Sequence, residues 1–143
     1  MTAVTINQAN LEMASLFDLA WQHAIDWPGK NFILPDASAT WARWRLQYVL
    51  ANQSSLSDVG GKRRWQRQGM VMVQVFTPLN TGTELLYSAA EIVVGAYEGK
   101  RTPGGVWFRN VRISGDSVSD VASEVTNWSQ LNVLADFQFD QIH

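Results

Sequence analysis

The stretch Gln68-Gly69-Met70-Val71-Met72-Val73-Gln74-Val75-Phe76-Thr77-Pro78 decides the fold. Side chains of an extended chain alternate between two faces. Here Met70, Met72, Gln74 and Phe76 share one face, and Val71, Val73 and Val75 share the other. A strand apolar on both faces is central in its layer or covered on both sides. Pro78 ends it, because proline donates no ladder hydrogen bond. With its basic entrance the strand is expected to run from Lys62 to Thr77.

Upstream, Trp41 to Leu50 also has period two. Ala42, Trp44, Leu46, Tyr48 and Leu50 fall on one face, and Arg43, Arg45 and Gln47 on the other, which predicts a half-buried strand. Ala51 to Gly61 is polar, carries Gly60-Gly61 and is expected to be a long loop. Further upstream, Leu11 to Ile25 has helical spacing through Met13, Leu16, Phe17, Ala20 and Ala24, with Leu11, Leu19 and Trp21 widening the stripe. Asn7 or Asn10 would cap that helix. Asp26-Trp27-Pro28-Gly29 would end it, since the residue before proline avoids helical angles. Lys30 to Thr40 is expected to be an extended loop.

Downstream, Thr81-Gly82-Thr83-Glu84 fits a capping box, a hydroxyl cap with glutamate three residues on. A second helix is predicted from Thr83 to Glu98, its apolar stripe formed by Leu85, Leu86, Ala89, Ile92, Val93 and Ala96, and Gly99 closes it. Val106 to Ile113 reads as a third strand and Ser114 to Ser123 as a polar, acidic loop. The closing strand alternates most clearly. Leu131, Val133, Ala135, Phe137 and Phe139 should lie on the core, with Gln130, Asn132, Asp136, Gln138 and Asp140 facing away. Strand pairs separated by helices predict an α+β fold in the order α-β-β-α-β-β. We expect one domain over residues 1–143, a mostly antiparallel four-stranded sheet with both helices on one face.

Composition narrows the function. The chain has 143 residues, 46% of them hydrophobic and 17% charged, which suits a packed domain. A net charge of −2 argues against general nucleic-acid binding, which normally carries a strong basic excess. The absence of cysteine excludes disulfides, thiol nucleophiles and cysteine-ligated metals. Met1 to Asn10 is polar and lacks the pattern of a secretory signal, and no apolar run has membrane-spanning length, so a cytosolic origin and no membrane partner are expected.

Catalytic signatures are missing. No phosphate-cradling glycine loop, dinucleotide fingerprint or nucleophile elbow is present. His23 is the only internal histidine, and it reads as a part-exposed helix residue, because no nucleophile motif accompanies it. Asp116 and Asp120 lack calcium-loop spacing, and Asp136 and Asp140 sit on the polar face of a strand. No cofactor or metal is expected. Lys62, Arg63, Arg64 and Arg67 enclose Trp65, a cluster that suits an acidic neighbour or, as a weaker alternative, a nucleic acid. If the two long strands pair as a hairpin, Arg43 and Arg45 would extend it into a basic strip.

Seven tryptophans (Trp21, Trp27, Trp41, Trp44, Trp65, Trp107 and Trp128) are more than a small core readily absorbs, and tryptophan is enriched at protein contacts. With both faces of the 70–76 strand apolar and charge sparse, association is expected. The residues read as a non-enzymatic assembly subunit. The candidate interface residues are Arg43, Arg45, Lys62, Arg63, Arg64, Trp65, Arg67, Met70, Met72, Trp107, Asp116, Asp120 and Trp128.

The 68–78 strand, then Thr81-Gly82 and an Ala/Leu-rich helix, resembles the core of the phage tail terminator-like family. Val106 to Ser114, followed by Asn127-Trp128 and the alternating closing strand, is similar to that family's C-terminal half, and Trp41 to Leu50 sits where its first strand does. The Ala51–Gly61 loop and the tryptophan load depart from typical members. The resemblance implies a structural virion protein related to the lambda-type tail terminator. Such a protein forms a hexameric homo-oligomeric ring on the head-proximal end of the tail tube, ends tube polymerisation and offers a head–tail joining surface in the neck. The implied partners are the tail tube protein and a head-completion or connector protein, with genomic DNA passing through the lumen. Assembly would take place in the host cytoplasm. The alternatives are another neck protein, such as a connector or tail-completion subunit, and a small nucleic-acid-binding domain. A closed ring joins unlike patches of successive copies. We expect the sheet to face the lumen, the helices to face outward, and the Lys62–Arg67 and Ser114–Ser123 segments to project along the axis.

Overall fold

The computed structural model describes residues 5–36, 39–53, 61, 63–78, 82–114 and 128–142. Helix α1 spans Ile6–Ala20, starting five residues before the expected Leu11. The reason is local. Thr5 is the N-cap, and its Oγ1 accepts from the Gln8 N–H at 3.0 Å, whereas Asn7 and Asn10 lie inside the helix. Ala9, Met13 and Phe17 turn inward at helical spacing.

The helix also ends earlier than the expected Ile25. Ala24–Asp26 is a short strand, β1, parallel to the start of β2 (Trp41–Gln53), with Ala24 opposite Trp41 and Asp26 opposite Arg43. The sheet therefore has five strands rather than four; it is mostly antiparallel, as expected, with one parallel pair that makes it mixed. Its order is β1-β2-β3-β5-β4, where β3 is Arg64–Pro78, β4 Trp107–Ile113 and β5 Trp128–Ile142. Every neighbouring pair except β1–β2 is antiparallel. As its two apolar faces require, β3 lies at the centre, between β2 and β5.

Helix α2, Thr83–Tyr97, matches its expected span. The capping box does not form as read: the N-cap is Gly82, with φ 79° and no side-chain cap, and Thr81 lies outside the described residues. Glu84 still sits in the first turn, where the helix dipole favours an anion. Gly99, at φ 72°, takes the left-handed conformation that ends the helix.

Both helices pack on one face of the sheet. Val71, Val73 and Val75 of β3 and Leu131, Val133, Ala135, Phe137 and Phe139 of β5 meet Met13, Phe17, Leu86, Ala90 and Val93 in one core. A polar relay crosses it. Trp44 Nε1 donates to the Tyr97 hydroxyl (2.7 Å), which donates to the Met13 carbonyl (3.0 Å), joining β2, α2 and α1. Burial pushes the Tyr97 phenol well above its usual range, with the Trp44 hydrogen bond opposing. Gly69 is fixed by space: a Cβ there would collide with the Gln47 carbonyl and come within 2.6 Å of the Phe137 ring.

A second, smaller cluster closes one end of the opposite sheet face. Trp41 stacks on Phe76 (centroids 4.0 Å apart) and on Phe32 (5.0 Å), and Trp128 meets it edge-on (5.7 Å). Trp21, Trp41, Trp44 and Trp128 are all buried within the chain, so the protein absorbs more tryptophan than its composition suggests. Trp21 Nε1 donates to the Ala24 carbonyl, and Trp128 Nε1 to that of Ala39. Among the described residues, the buried Trp41 Nε1 has no partner.

Candidate functional site

The sheet face opposite the helices has no helix on it, and the register arranges its side chains in rows across the strands. Arg43, Gln74 and Asn132 form one row. Arg45, Met72, Leu134 and Arg112 form the next, then Gln47, Met70, Asp136 and Arg109. Gln68, Gln138 and Trp107 follow. Amides and arginines dominate, around a small apolar island of Met70, Met72 and Leu134.

The arginines are tethered. Asp26, buried at the sheet edge, accepts from Arg43 Nε (3.0 Å) and Arg45 Nη2 (3.2 Å), while Arg45 Nη1 donates to the Asp26 carbonyl (2.9 Å). Arg43 Nη1 also donates to Gln74 Oε1 (3.3 Å), and its guanidinium lies over the Trp41 and Phe76 rings. Arg112 pairs with Asp136 (3.3 Å) and Arg64 with Asp140 (4.0 Å). Arg109 covers the Trp107 ring at 5.4 Å. The result is a surface rich in donors and acceptors in which three carboxylates offset part of the charge of five arginines.

The candidate interface residues divide accordingly. Arg43, Arg45, Met70, Met72 and Trp107 share the open face. Arg63 and Arg64 are exposed at the far end of the β2–β3 hairpin, with Trp65 and Arg67 half-buried beside them. The continuous basic strip does not form. Arg45 pairs with Met72 and Arg67 with Ala51, so the two groups lie five positions apart along β3, roughly 17 Å. Trp128 is buried against Trp41 and is a packing residue of its own chain. Lys62, Asp116 and Asp120 lie outside the described residues, as does most of the Ser114–Ser123 segment; Ala51 to Gln53, expected in the loop, extend β2 instead. His23 is exposed beyond the end of α1, its ring 5.2 Å from that of Trp21.

Two features escaped the sequence reading. Asp26 reads as part of a helix-ending turn, and its role as a double arginine acceptor depends on strand pairing across 17 and 19 residues. Leu85 and Ile92 read as core residues of α2 but are 44% and 41% exposed. Among the described residues, no group of three or more His, Asp or Glu is placed to hold a metal ion, and no helix is long and apolar enough to cross a membrane.

No protein-family model matches the chain, and no curated protein matches it. Twelve chains of known structure do. One shares 17% sequence identity and a TM-score of 0.61, over 95% of this chain and 97% of its own. That likeness shows the fold alone: an α+β domain of two helices on a mixed sheet, matched end to end.

Proposed function

We propose that this protein is a structural component of a tailed bacteriophage virion, a tail terminator-like subunit. Copies of it form a ring, hexameric as in the family it resembles, on the head-proximal end of the tail tube. The ring ends tube polymerisation and provides the surface to which a head-completion or connector protein docks. The observation that carries this reading is the uncovered sheet face. Arg43, Arg45, Arg64 and Arg112 are held by Asp26, Asp136 and Asp140 and interspersed with glutamine and asparagine. Four of its five arginines are thus already engaged by carboxylates. Such a surface suits a lumen wall along which DNA slides better than a site that grips phosphates, which needs free cations. The tethering also weighs against a dedicated nucleic-acid-binding domain.

Electron microscopy of intact virions and purified tails tests the proposal. A single ring of this protein at the head-proximal end of the tube, sheet inward, is the expected result. Its presence against the portal, or its absence from the particle, would reject the terminator reading and favour another neck protein. Charge reversal at Arg63 and Arg64 should reduce docking of neighbouring rings while the subunit stays folded; undiminished tail assembly would remove these residues from the axial contact.

A further inference from the structure

Among the apolar residues exposed in the described part of the chain, two groups lie on opposite flanks of the helix-covered sheet. The first is on α2, which lies chiefly over β5, β3 and β4. Leu85 and Ile92 are seven residues apart on one helical stripe, with Ser88 and Gly95 completing it. Glu84 and Glu91 lie on the adjacent stripe, and α2 contains no Lys or Arg. Glycine within a helix costs about 1 kcal/mol relative to alanine. A Cβ on Gly95 would meet nothing within 4 Å in this chain, so internal packing does not require the glycine.

The second patch is at the edge of β2. The register shifts between Tyr48 and Leu50, and Val49 is left 68% exposed. Around it opens a cavity of about 310 Å3, lined by Ile6, Tyr48, Val49, Leu50, Ala51 and Arg67. Arg67 is the only charged lining residue, with its Nε donating to Gln141 Oε1 at 2.8 Å. Exposed Arg63 follows on the same hairpin end.

We infer that the α2 face of one copy seats in the β2-edge cavity of the next copy of this chain, Ile92 entering the apolar cavity and Glu91 facing Arg67. This deepens the ring reading above and rests on it. Three observations select this pairing. The patches are unlike, so repetition propagates around a ring rather than stopping at a dimer. Their charges are opposite, which fixes register and suppresses wrong pairings. They also lie on opposite flanks. The exposed Leu11 and Leu19 of α1 are a poorer match, because α1 itself supplies Ile6 to the cavity and shares its flank. The α1 carboxylate Glu12 is already engaged by Gly104 N–H and Gln8 Nε2.

Disulfide trapping tests the contact directly, because the chain has no cysteine and each variant then presents one thiol. Purified Val49→Cys and Ile92→Cys full-length chains are mixed in equal amounts under oxidised glutathione. A covalent dimer should form in the mixture and be lost when either variant is oxidised alone, and the double variant should give a ladder of multimers. Glu91→Arg in the Ile92→Cys chain should suppress the mixed dimer, and Arg67→Glu in the partner should restore it. Leu19→Cys in place of Ile92→Cys should give none. Absence of the mixed dimer, or equal yield from Val49→Cys alone, would overturn the inference; the latter outcome would assign the β2 edge to strand pairing between copies. A ring on virion tails without the mixed dimer would reject this contact and leave the terminator reading standing. A mixed dimer from a protein absent from tails would do the reverse.

Discussion

The two faces of the sheet are built from the same strands yet obey different rules. On the helix side, Val71, Val73, Val133 and Ala135 are closed off from water, and even Gly69 has no spare volume. On the other side the same strands present Gln68, Gln74, Asn132 and Gln138, all half-exposed, with side-chain hydrogen bonds at Gln68, Gln74 and Asn132 and an ion pair at Asp136. Only at the Trp41 end does the open face become a packed one. Apart from that aromatic end, burial is therefore concentrated on the helix side.

Mutations should divide along that line. The largest effect is expected where the open face is itself packed: Trp41→Ala removes an indole stacked between Phe32 and Phe76 and should cost about 3–5 kcal/mol in urea unfolding. A loss under 1 kcal/mol would show that the aromatic end contributes little. Gly69→Ala on the helix side should cost about 2–3 kcal/mol, because the strand pairing and the Phe137 ring must both shift. Asp26→Asn should cost about 1–2 kcal/mol by leaving two arginines without their shared carboxylate, a figure kept low because the guanidinium groups are partly exposed and screened. Its signature should be amide exchange at β1, ahead of the rest of the sheet.

Alkaline titration probes the border between the faces. Burial raises the Tyr48 phenol from 10.0 to about 12, with Arg67 pulling the other way. The fold thus favours the protonated phenol, and its contribution is complete below pH 10 and lost as pH rises through about 12. Tyr48→Phe should flatten that part of the stability profile. Smallest of all should be Met72→Gln, within about 0.5 kcal/mol, since the half-exposed open face already accommodates amides. A loss above 2 kcal/mol there would mean that the isolated subunit relies on its open face for stability.

Much of this contrast was legible in the sequence. Alternation located β3 and β5 and divided their faces, and helical spacing with Gly99 bounded α2. The missing pieces are non-local. β1 has three residues, too few to show a period of two, and Ala24 continues the spacing of the helix before it. Thr5 outcompeted Asn7 and Asn10 as the cap, a choice that composition does not encode. Arg43 and Arg45 read as part of a basic strip because the sequence does not show that Asp26 lies beside them. The stripe on α2 is wider than the sheet can cover, so Leu85 and Ile92 look like core residues until the helix is docked.

The β3–β5 ladder also sets a schedule for synthesis. Its partners run from Pro78 opposite Trp128 to Arg64 opposite Ile142, separations of 50 to 78 residues. The β2–β3 hairpin closes over only 12 residues at Gln53 and Trp65, so it can form while the chain is still emerging. The other edge of β3 then stays unpaired until β5 leaves the ribosome, and long-range closure of this kind is slow. The sheet thus reaches its final shape only after β5 has been made, so any surface that depends on the complete sheet is also formed late.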